Sequence, residues 1–139
     1  MAYCTIDDIK KLLPEKALAL ITDDAGTGAI DEAKVTEAIS SADAEIDAYS
    51  GVRYTVPFGI VPAIIKKLSV DIAVYNLHSR RGEEVPASRK ERYRNAVRIL
   101  EAVALGAVSL NAPAAGKTDA ETNKAEDEQV FSRETLKEF

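Results

Sequence analysis

Tryptophan is absent, and the 139 residues include one cysteine, one histidine and one methionine. The single Cys4 excludes an internal disulfide and points to a reducing compartment. Cys4 and His78 lie far apart in sequence and suggest no nucleophile–base pair, so Cys4 reads as a small apolar residue. With no second histidine and no cysteine or acidic cluster at ligand spacing, no metal centre is expected. No apolar run approaches the ~20 residues needed to span a bilayer. No basic segment followed by an apolar core and a cleavage site marks a secretory leader. The expectation is a soluble protein made and retained in a cytoplasm, with no membrane partner and no cofactor.

What is present is a helix-forming, apolar chain. Its residues are 46% hydrophobic and only 6% aromatic, and much of the apolar share is alanine, which favours helices that approach closely. The length is that of one domain able to bury a core without staples. Thr5-Ile6-Asp7-Asp8 is a helix start, with Thr5 as cap and two carboxylates where the helix dipole favours them. Ile9, Leu12 and Leu13 then share a face, and Pro14 opens a second short helix through Ile21. Asp31 caps a long helix whose apolar stripe is Val35, Ala38, Ile39, Ala42, Ile46 and Tyr49. Gly51 is its expected stop.

Pro62 opens a second long helix, with Ile64, Ile65, Leu68, Ile72 and Tyr75 on one side, ending near Arg80–Gly82. A third, with Ser88 as its expected cap, carries Tyr93, Ala96, Val97, Leu100, Val103 and Ala104 and stops at Gly106. The fold class predicted is all-α: a bundle of three long helices with short N-terminal helices, over residues 1–110. Between the first two long helices, Val52–Pro57 is β-branched and aromatic and is expected as an extended arm. Residues 111–128 hold almost no large apolar side chain and read as a flexible linker. Residues 129–139 regain apolar anchors at Phe131, Leu136 and Phe139, a pattern suited to a tethered docking segment. The plainer alternative is a tail folded back on its own domain.

Three motifs fail. Asp23 through Lys34 has the glycine of a calcium loop at Gly28, but Ala25, Thr27 and Lys34 stand where ligands are required. Gly116-Lys117-Thr118 ends like a phosphate loop, yet Asn111 occupies the position of its first glycine. His78 sits at a helix end near Arg80 and Arg81, where a histidine meets free carbonyls without further chemistry. No catalytic residue is indicated.

Charge is unevenly distributed along the chain. Residues 1–61 hold five Lys/Arg against eleven Asp/Glu, residues 62–106 nine against five, and residues 107–139 four against seven, within a net charge of −5. The basic group Arg80, Arg81, Arg89, Lys90, Arg92, Arg94 and Arg98 could meet phosphate, which keeps open a small helical DNA-binding or regulatory protein. Glu91 lies three residues before Arg94 and Glu101 three after Arg98, so part of the charge is locally paired, and a solvated face or a protein interface is favoured over DNA contact. An acidic helix bearing Asp43 and Asp47 and a basic helix bearing Arg94 and Arg98 suit head-to-tail pairing of identical subunits, which closes into a ring when the rotation allows. Val52, Arg53, Tyr54, Val56 and Pro57 would then supply the apolar part of the subunit contact.

An ordered set of residues resembles a known family. It runs Met1-Ala2-Tyr3-Cys4-Thr5, Ile30-Asp31, Ala48-Tyr49, Arg53-Tyr54, Val56-Pro57 and Val61-Pro62. It continues through Asp71–Leu77, Arg80-Arg81, Arg92-Tyr93, Leu100, Gly106, Leu110 and Phe131-Ser132-Arg133. The family is that of the Mu-like bacteriophage and prophage neck proteins, similar in role to the head–tail connectors of other tailed phages. The resemblance implies a non-enzymatic adaptor at the virion neck, assembled in the host cytoplasm as a homo-oligomeric ring, commonly of about twelve subunits. Its implied partners are the portal protein above and the next neck or tail component below, such as a stopper or tail terminator. DNA would only pass through the lumen. Phe131, Leu136 and Phe139 would be the portal-docking anchors. A tail-terminator ring is the neighbouring alternative.

Overall fold

The computed structural model describes residues 2–82 and 84–115. It is all-α: α1 spans Ile6–Leu12, α2 Glu15–Thr22, α3 Glu32–Ser50, α4 Ala63–Ser79 and α5 Ala87–Leu105.

The starts follow local chemistry. Thr5 accepts from the Asp8 backbone N–H while the Asp8 carboxylate accepts from the Thr5 N–H, a reciprocal capping box. Asp31 caps α3 by accepting from Ala33 N. α2, α4 and α5 each begin behind a proline, at Pro14, Pro62 and Pro86, whose fixed φ suits a helix entry and whose missing N–H has no role there. Ser88 is therefore not the cap expected of it. It lies inside the first turn of α5, and Pro86 takes the cap position. Gly106 ends α5 in the left-handed region at φ 85°. Gly51 does not do the same for α3: its φ is −63°, and the chain turns on through Val52 and Arg53.

α3, α4 and α5 form the central bundle, and α1 and α2 pack against α3 and α4. The predicted stripes form the core. Val35, Ile39, Ala42 and Ile46 from α3, Ile65, Leu68 and Ile72 from α4, and Ala96, Leu100 and Val103 from α5 are all buried, joined by Ile9 and Leu18. Each large aliphatic side chain so buried contributes about 1.5–3 kcal/mol relative to exposure. Tyr75 and Tyr93 stack across α4 and α5 with ring centroids 4.1 Å apart and planes within 10°.

The segment 52–57, expected as an arm, is held within its own chain. After the turn at 51–53, Tyr54 makes an isolated antiparallel bridge to Ala114. Thr55 N donates to Pro113 O at 3.1 Å, Ala115 N donates to Arg53 O at 3.0 Å, and Thr55 Oγ1 donates to Ala114 O at 2.7 Å. Residues 111–115, the start of the expected linker, are thus the partner of residues 53–55. The Val56–Pro57 peptide is cis. Linker residues 116–128 and the segment 129–139 lie outside the described residues.

Candidate functional site

α3 separates two unlike sides of the bundle. Helix positions i and i+2 are ~200° apart around the axis, so Glu45 and Asp47 point in opposite directions. Glu45 faces α5 and accepts a 3.0 Å hydrogen bond from the Tyr93 hydroxyl. Asp47 faces the N-terminal segment and accepts from the Tyr3 hydroxyl at 2.5 Å.

On the Asp47 side lies a groove of about 570 Å3 between α3 and the N-terminal segment. Ala2, Ile6, Ala44 and Pro57 give it apolar walls, and Glu32, Asp43 and Asp47 give it three carboxylates with no lysine or arginine. Its floor is a buried polar network. Asp43 accepts from Tyr3 N at 2.9 Å and from the Ser69 hydroxyl at 2.7 Å. Ser69 Oγ is also 3.2 Å from Cys4 Sγ. With its one proton committed to Asp43, that hydroxyl can only accept from the thiol. Burial raises the Asp43 carboxyl above the ordinary aspartate value, against the two hydrogen bonds that favour its charged form. Burial likewise pushes the Cys4 thiol to about 11, so this thiol is not a nucleophile at neutral pH. The Tyr3 phenol is held above its ordinary value by burial and by its bond to Asp47.

On the other side, Tyr49, Tyr93, Arg94, Val97, Arg98 and Glu101 line a shallower hollow of about 290 Å3 between α3 and α5. Arg94 is exposed and meets no acidic partner among the described residues. Arg98 is satisfied by the side-chain oxygen of Asn95 at 2.7 Å. Burial and the Glu45 carboxylate raise the Tyr93 phenol to about 12.

The basic group read from the sequence is broken up by the fold. Arg80 grips Asp24 at 2.6 Å and Arg81 lies 3.4 Å from the same carboxylate. Arg92 reaches across to the buried Asp71 of α4 at 3.2 Å, and Lys90 lies 4.0 Å from Glu84. Four of its seven members thus already meet carboxylates of the same chain.

Of the residues expected at a subunit contact, Val52 is 65% exposed, and Arg53 and Pro57 are also exposed. Tyr54 is buried: it packs on Phe58, and its hydroxyl accepts from Leu110 N at 2.9 Å. Val56 is half-buried, and Asp43 is buried beneath the groove. Asp47 stands at the groove wall, and Arg94 and Arg98 lie on the far side of α3. Phe131, Leu136 and Phe139 lie outside the described residues. Sequence reasoning missed the groove itself. A polar stripe at Glu32, Thr36, Ser40, Asp43 and Asp47, recurring every three or four residues opposite the Tyr49 edge, was the available signal.

Among the described residues, no group of three His, Cys, Asp or Glu side chains could hold a metal ion. No described helix is long and apolar enough to cross a membrane.

The sequence has known relatives. A family described as "Bacteriophage Mu, Gp36" matches residues 3–129. "Mu-like prophage FluMu protein gp36" of Haemophilus influenzae is 37% identical over 113 residues, which cover 79% of this chain and 78% of that protein. "Gene product J" of Escherichia phage Mu is 30% identical over 105 residues, covering 74% and 72%. The matched span begins at Tyr3, the first residue of the network under the groove, and takes in the five described helices; the chain belongs to the bacteriophage Mu Gp36 family.

Proposed function

We propose that this chain is a head–tail connector of a Mu-like virion. It acts as a structural adaptor without catalysis, forming a ring of identical subunits beneath the portal and surrounding the path of the DNA. The observation that carries the reading is family membership over residues 3–129, joined to the resemblance of the chain to phage neck proteins. The bundle supports it physically. It presents chemically unlike sides to left and right of α3, as head-to-tail assembly requires. The segment 129–139, with Phe131, Leu136 and Phe139, docks on the portal. The opposite end of the ring meets the next neck or tail component.

The test is size-exclusion chromatography with light scattering on the full chain, with and without the portal protein of the same phage. Co-elution with portal at a ring stoichiometry is expected. Deleting 129–139 should leave the melting temperature unchanged and remove portal binding. Binding to isolated tail tubes but not to portal would replace this reading with a tail-terminator ring. A salt-dependent shift of duplex DNA by the monomer would replace it with a DNA-binding role.

A further inference from the structure

We propose that the groove between α3 and the N-terminal segment is the receptor for α5 of a second copy, entered by Arg94 and Arg98. The proposal rests on the connector reading and specifies the contact that would build its ring.

Three features of the subunit lead to it. First, the groove is a concave, partly apolar surface whose charged side chains among the described residues are carboxylates, Glu32 and Asp47 at its wall and Asp43 at its floor. Asp43 and Asp47, one turn apart on α3, repel one another, and an incoming guanidinium at Asp47 relieves that repulsion. Second, the cations suited to it are available. Arg94 and Arg98 share their hollow with Glu101 but form no ion pair among the described residues, and Arg98 hydrogen-bonds the neutral Asn95 amide, which a carboxylate can displace. By contrast Arg80, Arg81 and Arg92 already meet Asp24 and Asp71 within their own subunit. Third, receptor and donor lie on opposite sides of one rigid helix. Glu45 turns toward α5 and Asp47 toward the groove, ~200° apart on α3. A subunit cannot fill its own groove with its own Arg94. Two copies cannot satisfy both sides in an isologous pair through this contact. The pairing is heterologous, and it closes into a ring when the rotation allows.

The geometry also reassigns the residues expected at the interface. Asp43 contributes field from beneath the groove but no contact surface, since its oxygens already accept from Tyr3 and Ser69. Tyr54 is committed to Phe58 and Leu110 in its own chain. Glu32, Ser40, Asp47 and Pro57 form the receiving surface.

The experiment is a charge swap on the full chain. Arg94→Glu with Arg98→Glu reverses the donor, and Glu32→Lys with Ser40→Lys reverses the receptor. All four positions are exposed, so circular dichroism melting should match the parent protein. Assembly is read by light scattering at low salt, with and without portal. Each double variant alone should need at least tenfold higher concentration to assemble. An equimolar mixture should recover parental assembly. At one junction the carboxylates introduced on α5 then face the ammonium groups introduced in the groove, and at the next the native pairing is restored. If the parent assembles and the Arg94→Glu/Arg98→Glu variant assembles equally well, or if the mixture recovers nothing, this contact is wrong while the connector reading stands. A parent that stays monomeric under every condition, portal included, overturns both.

Discussion

The hydroxyl of Tyr3 lies 2.5 Å from Asp47, and the same oxygen accepts the backbone N–H of Phe58 at 3.1 Å. Residue 3 is thus bound to the last turn of α3 and to the start of the connection into α4. Its ring lies 5.6 Å from that of Phe58, and its N–H donates to Asp43. One tyrosine fixes the N-terminal segment as the far wall of the groove. Tyr3→Phe keeps the ring and removes both hydroxyl bonds. It leaves the Phe58 N–H without its partner, at a cost of about 1–3 kcal/mol. Urea unfolding should show this as a lower midpoint with an unchanged slope. Asp47→Asn, which leaves the Phe58 bond in place, should cost less. Equal losses in the two variants would contradict the assignment.

Tyr54 illustrates the same economy at the other end of the bundle. Its hydroxyl holds Leu110 N and its backbone pairs with Ala114, so it fastens the strand of chain leaving α5. Arg53 lies against the Gly106 turn, where an added Cβ would come within 3.0 Å of the guanidinium carbon. Tyr54→Ala should lower the melting temperature by ~5 °C or more. It should also raise amide exchange at Leu110 and Ala115. Arg53→Glu alone should leave the melting temperature within a few degrees, since this side chain is exposed. A stable Tyr54→Ala protein with unchanged exchange would show that the clasp is unimportant.

These cases mark where sequence reasoning reaches and where it stops. The stripe Val35, Ile39, Ala42, Ile46 is visible because burial imposes a period on neighbouring positions, and the Thr5–Asp8 box because capping is local. The pairing of residues 53–55 with 113–115 is carried almost entirely by backbone groups across some sixty residues, and no side-chain pattern in Asn111–Ala115 encodes it. Asp43 read as a surface charge for a related reason. Its position on α3 is polar, and only Tyr3 and Ser69, distant in sequence, make its burial tolerable. Ser88 lost the cap to Pro86 because the ring of proline fixes the entry angle two residues earlier.

Asp71 of α4 gives an asymmetric prediction. Its side chain is 3% exposed, while Lys67 and Arg92, at 3.0 and 3.2 Å, are 58% and 44% exposed. Replacing Asp71 by Asn releases two cations that can turn to water, at a cost of about 1 kcal/mol. Replacing both Lys67 and Arg92 by Ala leaves a buried carboxylate unpaired, at a cost of about 3 kcal/mol. Denaturant melts of the two variants at neutral pH test the order. If Asp71→Asn is the more damaging change, the carboxylate is not held in place by these two cations.

His78 should make stability depend on pH in one direction. Its Nε2 is buried without a hydrogen-bond partner, and burial, followed by the charge of Arg89, lowers its pKa below the ordinary value of 6.5. In the window below that value the unfolded chain binds a proton that the folded chain refuses. Folding is therefore disfavoured as the pH falls, and no such penalty exists when both states are neutral above it. Burial of Asp43 acts with the opposite sign at lower pH, since its raised pKa makes the folded state the better proton binder there. The histidine is isolated by difference. Between about pH 7.5 and about pH 5.5, parent protein should lose stability relative to His78→Gln, measured by urea unfolding at each pH. Parallel curves for the two proteins would show that the imidazole titrates alike in the folded and unfolded chain, and the buried nitrogen would then have to be solvated.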